Sequence, residues 1–197
     1  MIRPALPALL ATCIALACPL VAHAALKSGD AAPGFSAPAS LDGKAFTFTL
    51  AEALKKGPVV VYFYPAAYTT GCNIQAHTFA VNVDRFAAAG ATIIGVSLDR
   101  IERLNQFSAD PDYCAGKIAV ASDPDGRIAR SYDLKLQAGA ADHKDSRGQA
   151  IGHDYVERTT FVVTPDGRIA ATVGGVRPQA NVEQALAVVK GLKGAGR

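Results

Sequence analysis

Residues 59–64 read Val-Val-Val-Tyr-Phe-Tyr, and this run constrains the chain more than any other. Six consecutive apolar, β-branched or aromatic side chains suit a strand buried on both faces, as in a sheet covered by helices on either side. The run stops at Pro65. Between Thr70 and Ala89 the apolar residues Ala76, Phe79, Ala80, Val83, Phe86 and Ala87 recur at spacings of three and four, which predicts a helix, and Gly90 is a suitable stop. A second buried strand follows, Ala91 to Ser97. Strand, helix and strand in this order make a βαβ unit, so the sheet has at least two parallel strands.

The rest of the chain extends that unit. Residues 25–41 read as an extended lead-in, and Lys44 to Leu50 alternates as a strand does after the turn Asp42-Gly43. Residues 51–56 form a short helical piece, Asp99 to Ser108 a polar helix, and Ile118 to Ser122 a short strand. Arg158 to Val163 and Arg168 to Val173 flank Thr164-Pro165-Asp166-Gly167 and predict a hairpin. Asn181, with Gln184 three residues on, resembles a capping box that opens a closing helix. The sum is a three-layer α/β domain with a central mixed sheet flanked by helices. Residues 135–154 carry no periodicity and read as a hydrophilic surface insertion, with His143 and His153 as solvated loop residues.

Half of the 197 residues are hydrophobic and the formal charge is only +3, without a long basic block. That excludes a largely disordered chain and a dedicated nucleic-acid binder. The first 24 residues are distinctive: Arg3, an apolar stretch from Ala5 to Val21, then Ala22-His23-Ala24. This predicts a cleaved signal peptide, with residues 25–197 as the folded domain and an exported, periplasmic location. A membrane anchor is disfavoured by Pro4, Pro7 and Pro19; a lipoprotein signal at Cys13 or Cys18 lacks the required preceding residues. Cleavage leaves Cys72 and Cys114, and an even pair in an oxidising compartment first suggests a structural disulfide.

Cys72 stands at the junction of the buried strand and the long helix, where sites in α/β proteins gather. In a helix's first turn, unpaired N–H groups and the helix dipole favour an anion, the setting in which thiols become reactive. Pro65-x-x-x-Thr69-x-x-Cys72, within Tyr-Pro-Ala-Ala-Tyr-Thr-Thr-Gly-Cys, resembles the active-site signature of the peroxiredoxins, in particular the bacterioferritin-comigratory or Q-type branch. Arg158, in Arg-Thr-Thr-Phe, completes the resemblance, which spans most of residues 27–175.

The resemblance implies a thioredoxin-like fold with an N-terminal β extension, and a peroxidase that needs no cofactor. It makes Cys72 the peroxidatic cysteine, oxidised by hydrogen peroxide or an organic hydroperoxide to a sulfenic acid. Thr69 would offer its hydroxyl to the thiolate or the peroxide, Arg158 would stabilise negative charge, and Pro65 would close one side of the pocket. Position 70 is Thr where many relatives carry Pro. A resolving cysteine five residues after Cys72 is absent, since that position is His77; Cys114 is the partner left in residues 25–197. Two readings of Cys114 stand: resolution through a Cys72–Cys114 disulfide, or a one-cysteine mechanism with Cys114 buried. The expected partners are the hydroperoxide and a thioredoxin-like or other thiol reductant, with no nucleic acid, no membrane insertion after cleavage, and a monomer or weak homodimer.

Other functions fit less well. A thioredoxin-like disulfide oxidoreductase should carry Cys-x-x-Cys, but position 75 is Gln; a related copper chaperone should carry Cys-x-x-x-Cys, but position 76 is Ala. A silent exported domain with a structural Cys72–Cys114 disulfide remains the alternative. His77 lies about 140° around the helix from Cys72 and reads as a surface residue.

Overall fold

The computed structural model describes residues 24–140 and 142–195. The expected signal peptide lies outside the described residues except for Ala24. Seven strands form one mixed sheet: β1 (Ser36–Leu41), β2 (Lys44–Thr49), β3 (Val59–Phe63), β4 (Thr92–Ser97), β5 (Ala119–Ser122), and two later strands introduced below. β3 and β4 pair in parallel, as do β4 and β5, while β1 joins β5 and β2 antiparallel. The helix predicted from the apolar spacing is present as α2 (Thr70–Ala88) and makes the crossover from β3 to β4. The short helix α1 (Leu50–Leu54) precedes β3, and α3 (Ile101–Ala109) and α4 (Arg127–Ser131) follow β4 and β5.

β3 is buried along its whole length, and its side chains divide by the two-residue period of a strand. Val60, Tyr62 and Tyr64 join Phe79 and Phe86 of α2 and Leu104 and Phe107 of α3 in one core. Val59, Val61 and Phe63 face the other core, with Leu50 of α1 and Ala129 of α4. The architecture is thioredoxin-like: a central mixed sheet flanked by helices on both faces.

After a small ribbon of β6 (Leu136–Gln137) and β7 (Tyr155–Val156), the predicted hairpin follows as β8 (Thr159–Val163) and β9 (Ile169–Gly174). β8 lies antiparallel against β3 in a register that pairs Phe63 with Thr159. Arg158, the residue before β8, therefore stands beside the chain where it leaves β3. The closing helix α5 (Pro178–Ala195) packs against α2.

Three local readings change. Residues 36–41 of the lead-in are a strand held between β2 and β5. The closing helix starts at Pro178, a favoured first helical residue, so Asn181 is a buried interior residue and not a cap. His153 is not solvated: its side chain is 15 % exposed and ion-paired to Asp99, which is fully buried.

Candidate active site

β3 ends at Phe63, and residues 64–69 form the loop into α2. Tyr64 N still donates to Val96 O at 3.1 Å, which keeps the loop's start in line with the sheet. Tyr68 takes a left-handed φ of 63°, a conformation that costs a residue with a Cβ about 1–2 kcal/mol. Thr69 occupies the N-cap position with extended backbone, yet its hydroxyl caps nothing; it donates to Ala66 O at 2.9 Å. The hydroxyl's lone pairs remain available as acceptors.

Cys72 is the third residue of α2 and is 1 % exposed. The bond from Asn73 N to Thr69 O, 2.8 Å, opens the helix, so the amides of Thr70, Gly71 and Cys72 have no intrahelical acceptor. Arg158 Nη2 donates to Cys72 Sγ at 3.3 Å. Gly71 permits this approach, because a Cβ there would lie 3.0 Å from Arg158 Nη2. A guanidinium against sulfur at a helix N-terminus places two positive influences on one atom, the arrangement that activates a nucleophilic thiol.

The arginine is itself held. Its Nη1 donates to Gln75 Oε1, one turn along α2 from Cys72. Gln75 Nε2 donates to Asn181 Oδ1 at 2.9 Å, Thr160 Oγ1 donates to the same oxygen at 2.5 Å, and Asn181 Nδ2 donates to Val173 O at 2.9 Å. Gln75, Thr160 and Asn181 are fully buried, so this chain of bonds joins α2, β8, β9 and α5 beneath the thiol. Buried networks of this sort are rigid because each broken member strands the others.

Pro65, Thr69 and Arg158 line a cavity of about 560 Å³ together with Tyr155, Val156 and Ile151. The structure thus brings Cys72, Arg158, Thr69 and Pro65 together. Cys114 is elsewhere. It sits fully buried in the turn after α3, in the same core as Cys72, and both cysteines are free thiols. Burial pushes the Cys114 thiol far above its ordinary value, and Asp110 adds to the shift. Burial likewise pushes the Tyr62 phenol well up, with Cys114 and then Cys72 adding to the shift and Arg158 opposing it. His77 is exposed, as expected, and meets Asp112 O at 3.0 Å through Nδ1.

A second polar cluster adjoins the loop. Asp99, fully buried, accepts from Ala67 N at 2.7 Å and from Ser97 Oγ at 2.8 Å, and pairs with Arg103 and His153, each at 2.9 Å. From the sequence, Gln75, Asn181 and Asp99 have no role at the site: Asn181 reads as a helix cap, and Gln75 only as the residue where a Cys-x-x-Cys motif would need cysteine. Gln75 carried a usable signal, a polar side chain on the inward face three residues from Cys72.

Residues 28–172 match the model of the AhpC/TSA family. Over 144 residues the chain is 33 % identical to peroxiredoxin Bcp of Escherichia coli, covering 73 % of this chain and 83 % of that protein. It is 30 % identical to peroxiredoxin Bcp of Xanthomonas campestris, covering 79 % and 89 %. Among solved structures, peroxidoxin BcpB of Mycobacterium tuberculosis superposes with a TM-score of 0.70 at 26 % identity, covering 85 % of this chain and 98 % of that one. The bacterioferritin comigratory protein of X. campestris, studied for alkyl peroxide reduction, gives 0.62 at 29 % identity, covering 79 % and 91 %. A cysteine at the head of a helix beside an arginine, on this fold and with these relatives, makes the chain a member of the AhpC/TSA family, a thiol-dependent peroxidase of the Bcp, or Q-type, peroxiredoxins.

Proposed function

We propose that the chain reduces hydrogen peroxide and organic hydroperoxides through Cys72, and that Cys114 resolves the oxidised form. The 3.3 Å contact between Arg158 and Cys72 Sγ carries this reading. The Cys72 thiolate attacks one peroxide oxygen, the O–O bond breaks, and the leaving oxygen departs as water or an alcohol once it takes a proton. Cys72 is left as a sulfenic acid, two electrons more oxidised. Arg158 stabilises the anion before attack and the negative charge that develops on the departing oxygen. Thr69, its own proton engaged by Ala66, accepts a hydrogen bond from the peroxide O–H and orients it. Pro65 and the apolar side chains Val156 and Ile151 exclude water and leave room for an organic tail.

Resolution requires movement. The Cys114 thiol, kept protonated by burial, must leave its pocket and lose its proton before its sulfur can displace water from the Cys72 sulfenic acid. The α-carbons of a disulfide lie within about 7 Å, and in this reading the first turn of α2 and the turn holding Cys114, both buried, open to bring the two sulfurs into contact. A dithiol reductant of the thioredoxin kind then restores both thiols. The leader-like residues 1–24 support export to the periplasm, and that compartment would supply the reductant. We infer a monomer or weak homodimer.

The test is stopped-flow mixing of reduced protein with hydrogen peroxide or an alkyl hydroperoxide. Consumption far faster than a free thiol achieves, lost in Cys72→Ser, supports the reading; a rate equal to that of a free thiol returns the chain to the silent, disulfide-braced alternative. For export, a protein beginning at Ala25 in the periplasmic fraction is expected, and an intact amino terminus in the cytosol contradicts it.

A further inference from the structure

Beyond the internal bond from Thr69 to Ala66, the loop bearing Thr69 is held from outside. Its peptide groups at positions 67 and 68 are bonded by side chains and backbone from two distant segments. Ala67 N donates to Asp99 and Ala67 O accepts from Arg103 Nη2 at 2.9 Å. Tyr68 O accepts from Ser146 N at 2.9 Å, which comes from the 138–153 segment. The Arg147 guanidinium lies 3.2 Å from the centre of the Tyr68 ring.

Asp145 is the hub that sets these donors. Its side chain is fully buried, pairing with Arg103 at 2.8 Å and Arg147 at 3.2 Å and accepting from the amides of Arg147 and Gln149 at 2.8 and 2.9 Å. Burial opposes its ionisation, yet the amides of Gln149 and Arg147 and the two guanidiniums outweigh burial and hold the carboxyl below its ordinary value. The same segment contributes His143, Lys144 and Ile151 to the lining of the cavity that Thr69 and Arg158 also line. Left-handed Tyr68 is therefore gripped from both sides, its carbonyl by Ser146 and its ring by Arg147, immediately before Thr69.

We propose that Asp145 and Arg147 are positioning residues for peroxide reduction: they clamp the Tyr68 peptide so that Thr69 presents its hydroxyl to the bound peroxide. Neither residue touches Cys72 or Arg158, so the clamp governs how the peroxide is oriented and leaves the state of the sulfur alone. The inference rests on the peroxidase reading above, with Thr69 as the orienting group.

Arg147→Ala separates these effects. Its side chain is 29 % exposed, so part of the space it vacates opens to solvent. Two reactions of Cys72 are followed in wild type and variant: oxidation by hydrogen peroxide, and alkylation by iodoacetamide, which needs the thiolate but no oriented peroxide. The expected result is a drop in the peroxide rate constant of about tenfold, with the alkylation rate and its pH profile within about twofold of wild type. Asp145→Asn, which weakens both arginine contacts, is expected to give the same split. A peroxide rate within twofold of wild type in both variants overturns the proposal, and so does an equal fall in both reactions. A wild-type protein that reacts with peroxide no faster than a free thiol would instead overturn the underlying peroxidase reading.

Discussion

Cys72 and Cys114 are alike in burial, at 1 % and 0 % exposed, and belong to the same hydrophobic core. What surrounds them differs. Cys72 has an arginine on its sulfur, free helix amides beside it and a buried polar network behind the arginine. Cys114 lies in the turn after α3, four residues beyond Asp110, and its thiol is pushed up by burial and by Asp110. Burial alone makes a thiol inert; burial with a held cation makes it a nucleophile. The proposed division of labour, attack by Cys72 and resolution by Cys114, rests on this difference in surroundings.

The sharpest way to break that contrast is to remove each sulfur in turn. Cys72→Ser is expected to lower the peroxide rate constant by roughly 10³-fold or more, the scale on which loss of a covalent nucleophile acts. Cys114→Ala is expected to leave the first oxidation unchanged while abolishing disulfide formation. Rapid-mixing kinetics paired with non-reducing peptide mapping checks both.

Next in size is the cation. Arg158→Gln keeps a polar side chain but removes the charge, and should reduce the peroxide rate by about 10²- to 10³-fold. Single-turnover kinetics on the purified variant reads this directly. An unchanged rate would mean that the helix N-terminus suffices and that the contrast between the two cysteines has been drawn from the wrong feature.

The network behind the arginine tests whether position matters as well as charge. Asn181→Ala strands Gln75 and Thr160 in the core and should cost about 1–3 kcal/mol of stability, read by denaturant titration. The peroxide rate should fall severalfold as Arg158 loses its brace. Stability lost with the rate intact would confine the network to folding.

The smallest effect is one of pH. Burial lowers the His153 value, but the hydrogen bond and charge of Asp99 outweigh it and raise His153 above its ordinary value. Both ring nitrogens face acceptors, Asp99 Oδ1 at 2.9 Å and Asp154 O at 2.7 Å, which suits the doubly protonated ring. Arg103, on the same carboxylate, opposes the shift. A raised folded-state value contributes stability that is complete below the unfolded value of about 6.5 and is lost as pH rises through the folded one. Melting temperatures across that window should fall with rising pH in wild type and show a smaller slope in His153→Gln.

Much of the fold could be read in advance wherever apolar residues repeat. β3, α2, β4 and the β8–β9 hairpin follow from period and turn chemistry, and so does the juxtaposition of Cys72 with a strand end. β1 escaped because Ser-Ala-Pro-Ala-Ser-Leu has no β-branched residue; it is a strand because β2 and β5 pair with it on either side. Asn181 misled because its capping-box pattern is local, whereas Pro178 starts the helix earlier and a buried partner in α2 claims the side chain. The 138–153 segment was opaque for a different reason. Its buried centre is Asp145, and hydropathy cannot tell a charge that is paired inside from one that is solvated. Pro65, Thr69, Cys72 and Arg158 can be picked out one by one from the motif, whereas the contacts around them join residues tens of positions apart.

The central claim, that Cys72 attacks and Cys114 waits, is tested most directly by treating the fully reduced protein with one equivalent of hydrogen peroxide and mapping the products by mass with time. The account predicts an early gain of one oxygen on the peptide containing Cys72, followed by loss of that oxygen and a disulfide to Cys114. Oxygen appearing first on Cys114, or at equal rates on both sulfurs, would contradict it.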